Sequence, residues 1–202
     1  KKKALIICSY FPPTRNGGAK RPYLFAKYLT SKYEVTVLTI GDRFEYKNEL
    51  FKVESLKFWN ESIWLTFQKI FFEFFFKLGF VKASDWYLQN QVRKKNLGDF
   101  DLVIGTYPEI SNLIIARNFK IINPETKLII DFRDGLIFEP LRNWNYFQHK
   151  SLLKFENEIC DFSDVTITVG KELSKYFKHF NTNVSTVFNS HELKSQKNSI
   201  KK

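Results

Sequence analysis

Three short clusters hold the residue types that could do chemistry. The first is Asn16-Gly17-Gly18-Ala19-Lys20-Arg21. Two adjacent glycines let backbone approach a ligand closely. A helix starting there would aim its free N–H groups and positive dipole end at that ligand. Lys20 and Arg21 add cationic side chains, so the cluster suits a phosphate or a polar sugar, or else is a glycine turn with solvated bases. The dinucleotide fingerprint G-x-G-x-x-G and the P-loop pattern are both missing, which argues against a dehydrogenase or a nucleoside triphosphatase. The second cluster, Asp131-Phe132-Arg133-Asp134-Gly135, ends an apolar run. A carboxylate beside an arginine can accept a proton from an attacking hydroxyl; the same charges can simply form an ion pair that closes a strand. The third, Thr106-Tyr107-Pro108-Glu109, offers Tyr107 and Glu109 as ligand contacts or marks a helix start whose dipole favours Glu109. His149, His179 and His191 are too widely spaced for a recognisable metal site, so neither metal nor cofactor is expected.

These clusters need elements to hold them. Ala4–Cys8 is a short apolar run that stops at Ser9-Tyr10-Phe11-Pro12-Pro13, a buried strand entering a loop. Leu24, Phe25, Tyr28 and Leu29 then recur at helical spacing, with Pro22 suited to the first turn. Val35–Thr39 is β-branched, so the opening reads strand, loop, helix, strand, one βαβ unit. Further strands are predicted at Leu50–Leu56, Leu102–Thr106, Lys127–Phe132, Val165–Val169 and Val184–Phe188. Helices are predicted at Asp85–Leu97, Ile110–Phe119, Phe147–Phe162 and Lys171–Phe180. This alternation predicts an α/β domain, Rossmann-like and doubly wound, with a mostly parallel sheet and helices on both faces. All three clusters would then follow strand ends, where such sheets place their ligands.

Composition adds a partner class. The 202 residues carry 32 Lys+Arg against 21 Asp+Glu, a net charge of +11 that favours anionic partners or reflects a lysine-rich surface. Only two cysteines are present, Cys8 and Cys160, which fits a reducing compartment. Seven of the 22 phenylalanines fall in Ser62–Val81, Phe71, Phe72 and Phe75 among them, and Trp64 lies in the same segment. On a helix, Lys69, Glu73 and Lys77 would form one narrow polar stripe, and these charges argue against a membrane span. Such a helix either lies in a membrane interface or packs on the sheet or a second chain, and its excess apolar surface favours a membrane or partner contact. Its rings do not alternate with bases along strands, so nucleic acid is not expected as a partner.

The order of these motifs resembles a known family. Leu5-Ile6-Ile7-Cys8-Ser9-Tyr10-Phe11-Pro12-Pro13, Gly17-Gly18-Ala19-Lys20-Arg21 and Glu34-Val35-Thr36-Val37-Leu38-Thr39 resemble the start of retaining GT-B glycosyltransferases of family four (group one). Asp101-Leu102-Val103-Ile104-Gly105, Ile130-Asp131-Phe132-Arg133-Asp134 and Asp164-Val165-Thr166-Ile167-Thr168-Val169 resemble later parts of the same N-terminal domain. The resemblance covers about residues 4–192. It implies transfer of a sugar from a nucleotide diphosphate sugar to an acceptor hydroxyl, with no required metal. Gly17 and Gly18 would then contact donor phosphate or acceptor. Arg133-Asp134 matches the branch with an Arg-Asp motif, which makes Asp134 the candidate catalytic, acceptor-contacting residue; Leu136 stands where that branch often has Trp. The site expected on this basis comprises Gly17, Gly18, Arg21, Tyr107, Glu109, Arg133 and Asp134. Residues 1–190 would be the acceptor-side domain and 191–202 a basic tail. The donor-binding half lies outside these residues, so the chain alone is expected to be inactive. The nucleotide sugar would need that second half, and the acceptor would be a glycan or lipid-linked glycan. Polysaccharide or glycolipid synthesis in the cytoplasm, on the inner face of a membrane, is the implied setting. The other reading is a non-catalytic saccharide- or membrane-binding module with the same fold.

Overall fold

The computed structural model describes residues 1–14, 17–40, 50–56, 70–71, 73–81, 86–138 and 143–189. Seven strands form one sheet: β1 (Lys2–Cys8), β2 (Tyr33–Ile40), β3 (Lys52–Leu56), β4 (Leu102–Thr106), β5 (Lys127–Phe132), β6 (Val165–Thr168) and β7 (Val184–Thr186). Their order is β3-β2-β1-β4-β5-β6-β7, and every pairing is parallel. The helices α1 (Lys20–Leu29), α2 (Trp86–Lys95), α3 (Ile110–Ile122), α4 (Tyr146–Phe162) and α5 (Lys171–Phe177) lie in the connections from β1 to β2, β3 to β4, β4 to β5, β5 to β6 and β6 to β7. The chain is therefore a Rossmann-like α/β fold, with its topological switch between β1 and β4.

Side chains alternate across a strand, and here both faces are covered. Leu5 and Ile7 of β1 enter a core shared with α2, α3, α4 and α5. Ala4, Ile6 and Cys8 enter the opposite core, against Ala26 of α1 with Phe11 and Phe51. That double burial explains why β1 reads as a continuous apolar run rather than an alternating one. Cys8 and Cys160 are both free and buried, and burial raises both thiols well above their ordinary value. The α1 side is less complete over the far strands, where Val165 and Ile167 of β6 remain half-buried.

Observed boundaries differ from the sequence reading mainly at ends. β4 and β5 match it, while α3 runs to Ile122 and α5 stops at Phe177. Glu109 is the N-cap of α3 in extended backbone, not part of its first turn. The expected basic tail at 191–202 lies outside the described residues.

Close packing of α3 on β4 depends on one position. A Cβ on Gly105 would stand 2.7 Å from the Ala116 Cβ and 3.2 Å from the Asn112 carbonyl oxygen. Gly105→Ala should therefore lower stability by about 1–3 kcal/mol through overpacking. Adding Ala116→Gly should recover part of that loss. Urea unfolding followed by circular dichroism checks both; an unshifted midpoint for the single variant would refute this close approach.

Candidate functional site

Parallel strands send all their trailing loops to one edge. The loop carrying Gly17 and Gly18 follows β1, Thr106-Tyr107 follows β4, and Arg133-Asp134 follows β5, so all lie along the carboxyl rim. Gly17 is exposed and Gly18 buried, and α1 begins two residues later with no side chain capping its first turn. The amino end of α1 thus turns the positive pole of its dipole to this rim.

Arg21, in the first turn of α1, ties the rim together. Its Nη2 donates to Asp131 Oδ1 at 2.6 Å, and its Nε donates to Oδ2 at 2.8 Å. Asp131 is fully buried at the end of β5, and Arg21 is only 5% exposed. Burial raises the Asp131 carboxyl above its ordinary value, while the hydrogen bonds and charge of Arg21, and the charge of Arg133, pull the other way. Arg21 Nη1 also donates to the Val187 carbonyl at 2.6 Å, just beyond β7. One guanidinium thus joins the glycine loop, the end of β5 and the chain leaving β7. Arg21 was expected to meet a substrate anion; in this structure its donors are engaged within the protein. Of the two readings of the Asp131–Asp134 cluster, neither named this partner: Asp131 pairs with Arg21, 110 residues away in sequence.

Between β1 and β4 the rim is closed by polar side chains. Asn112 Nδ2 donates to the Thr106 carbonyl at 2.8 Å and to Ser9 Oγ at 3.2 Å. Tyr107, an expected ligand contact, is 0% exposed, and its ring lies 6.2 Å from that of Phe132. It therefore packs in the core and presents no surface to a ligand. Glu109 is half-buried at the start of α3.

Asp134 is exposed and Arg133 half-buried beside it. The Arg133 Nε is buried and meets no hydrogen-bond acceptor among the described residues. Unpartnered buried donors are rare and call for an explanation. A cavity of about 230 Å³ opens between α1 and the residues after β7, lined by Gly17, Lys20, Arg21, Tyr28, Phe188 and Asn189 among others. A larger cavity, about 320 Å³, lies at the opposite edge between α2 and α3, near Phe100 and Phe119. It is remote from every residue of the rim.

Sequence reasoning did not single out Trp144, Glu156 or Tyr176, which brace the loop after β5. Glu156 is completely buried in α4; its Oε1 accepts from the Leu136 N–H at 2.7 Å, and its Oε2 accepts from the Tyr176 hydroxyl at 2.6 Å. Burial raises the Glu156 carboxyl, and these two bonds oppose the rise. A glutamate inside the apolar stripe of α4 was the available signal, since an unpaired acid is rarely buried.

The aromatic segment is described only in part, and Trp64 and Phe72 lie outside the described residues. Its helix runs to residue 77 and ends in a Schellman turn: Phe80 N–H donates to the Phe75 carbonyl, Gly79 N–H to that of Phe76, and Gly79 has φ +89°. Asn145 Nδ2 donates to the Lys77 carbonyl at 3.0 Å, and Ser151 Oγ donates to that of Gly79, so this turn is seated on the start of α4. Phe71 and Phe74 are each 57% exposed, and Phe80, Tyr146 and Phe147 are exposed near the same junction. Phe75 is half-buried among its neighbours, 4.5 Å from the Phe71 ring. No helix among the described residues is long and apolar enough to cross a membrane.

No family model matches this chain, and no curated protein does either. Among solved structures, an alpha-glucosyltransferase in complex with UDP and a 13-mer DNA containing a central A:G mismatch aligns with it at a TM-score of 0.43 and 13% identity. The alignment covers 92% of this chain and 40% of that one, so this chain spans two fifths of that protein's length. The UDP and the DNA are ligands of that protein.

The Arg21–Asp131 pair has a measurable signature. Asp131→Asn would leave a buried guanidinium without its counter-charge, and should cost about 3–5 kcal/mol. Replacing both partners together, Arg21→Met with Asp131→Leu, should cost clearly less, because no buried charge is left unpaired. Urea unfolding of the three variants tests this; equal losses would show that the pair is not the structural tie described.

Proposed function

We propose that these residues form the acceptor-side domain of a glycosyltransferase. The supporting observation is the Arg21 clamp, which draws the glycine loop, the end of β5 and the exit from β7 to one rim. In this reading Gly17 and Gly18 let backbone approach a phosphate or a sugar hydroxyl at the amino end of α1. Asp134, exposed at the start of the loop after β5, contacts the acceptor hydroxyl and is the candidate proton acceptor. Arg133, with a buried Nε that meets no acceptor among the described residues, supplies a donor to the same ligand. The resemblance of the motif order to family four of the GT-B enzymes favours a nucleotide diphosphate sugar as donor and a glycan or lipid-linked glycan as acceptor. A saccharide-binding module without catalysis would use the same rim residues, but Asp134 would then need no proton-accepting role.

Saccharide-observed saturation-transfer NMR with the whole chain and a panel of glycans tests the rim. Binding should weaken about tenfold, roughly 1.4 kcal/mol, in Asp134→Ala and in Arg133→Met. Tight DNA binding that falls steeply with salt, with no saccharide signal, would instead make this a nucleic-acid protein.

The exposed rings of the aromatic segment support a location on the inner, cytoplasmic face of a membrane, where a basic protein meets anionic lipid. The chain should cosediment with vesicles containing anionic lipid at low salt. Changing Phe71, Phe74 and Phe80 to serine should remove most of that binding. Equal sedimentation by this variant would exclude these rings as the contact.

A further inference from the structure

Asp134 sits on a loop that must hold one shape if its carboxylate is to meet an acceptor repeatedly in the same place. That loop, residues 133–138, has few strong contacts of its own. It makes a tight turn, Phe138 N–H to the Gly135 carbonyl at 3.1 Å, and an added Cβ on Gly135 would fall 2.7 Å from Phe138 Cδ2. Among the described residues, the side-chain hydrogen bonds to its backbone converge on Leu136, two residues after Asp134 and fully buried. The Leu136 N–H donates to Glu156 Oε1 at 2.7 Å, and its carbonyl accepts from Trp144 Nε1 at 3.2 Å. Both backbone groups of one residue are thus held by side chains from outside the loop.

Glu156 has no task in its own helix, whose mid-helix N–H groups are already bonded along the backbone. Placing a carboxyl group there is unfavourable unless its oxygens are satisfied. They are satisfied by the loop amide on one side and by Tyr176 of α5 on the other. Tyr176 in turn packs edge-on against Phe138, with ring centroids 4.9 Å apart. Trp144 packs edge-on against Phe76 of the aromatic segment at 5.8 Å. The loop is therefore bracketed by α4, α5 and the aromatic segment at once.

We propose that Glu156 is a positioning residue: it fixes the loop 133–138, and with it Asp134, using Tyr176 as its brace and Trp144 as the second pin. Its significance for catalysis rests on the acceptor-side reading above, but the structural role is measured without any substrate. In ¹⁵N-labelled whole chain, Glu156→Ala should shift the amide resonances of Asp134, Gly135 and Leu136 and the indole N–H of Trp144. Hydrogen exchange at the Leu136 amide should speed up at least about tenfold, while the amides of β1 stay protected. Glu156→Gln, whose amide oxygen can still accept from Leu136, should restore the wild-type pattern. Tyr176→Phe keeps the ring packing and should give a smaller change of the same kind, which preserves the test if the alanine variant does not fold. Unchanged Leu136 exchange in Glu156→Ala, or in Tyr176→Phe should that be the only folded variant, would overturn the proposal. So would a glutamine variant no closer to wild type than alanine. If these NMR effects appear but no saccharide binds, the positioning role stands and the acceptor-side reading fails.

Discussion

The rim of this protein depends on one buried ion pair. Arg21 and Asp131 are both removed from water, and two charges in that position are stable only when each satisfies the other. The fork of the guanidinium meets the carboxylate through both Nε and Nη2, which leaves Nη1 free to reach the Val187 carbonyl. Three chain segments, distant in sequence, are thereby fixed in register with one another. Protonating Asp131, or removing either partner, would leave the other group's charge or its donors bare in a low-dielectric setting, so this geometry tolerates little drift. Lys could not replace Arg21 here, since an ammonium is a point donor and cannot bind a carboxylate as a planar fork.

Around that tie the rim divides its polar groups between construction and presentation. Ser9, Asn112 and Thr106 bond to one another and close the switch point between β1 and β4. After β5, Arg133 carries a buried donor that meets no acceptor among the described residues, and Asp134 beside it is an exposed carboxylate. The same division appears one layer deeper, where Glu156 and Trp144 bond to the backbone of the loop that bears Asp134.

The aromatic segment obeys a different constraint. A helix rich in phenylalanine must bury some rings, and here Phe76 turns inward to Trp144 while Phe71 and Phe74 stay in water. Gly79 makes this possible, because its positive φ reverses the chain onto the start of α4, where a side chain would strike the Phe147 backbone at 2.9 Å. The exposed rings are the surplus of that arrangement; Tyr146 and Phe147, at the start of α4, are exposed as well.

Much of the architecture could be read from residue order alone. Apolar runs of strand length alternating with helical spacing determined a parallel α/β sheet, and the turn chemistry after Cys8 and Phe132 placed the candidate loops at strand ends. Those are local signals, set by side-chain periodicity and backbone sterics. Pairing across the fold is not local. Nothing near Arg21 says that its partner is Asp131 rather than a ligand, and nothing near Tyr107 says that its ring faces Phe132 rather than solvent. A loop polar in sequence can also be braced from beneath, as Glu156 braces Leu136. Such choices depend on which charges and donors meet once the strands are in register, because burial makes an unmatched polar group costly and so selects the matched arrangement. Tertiary structure alone decided that.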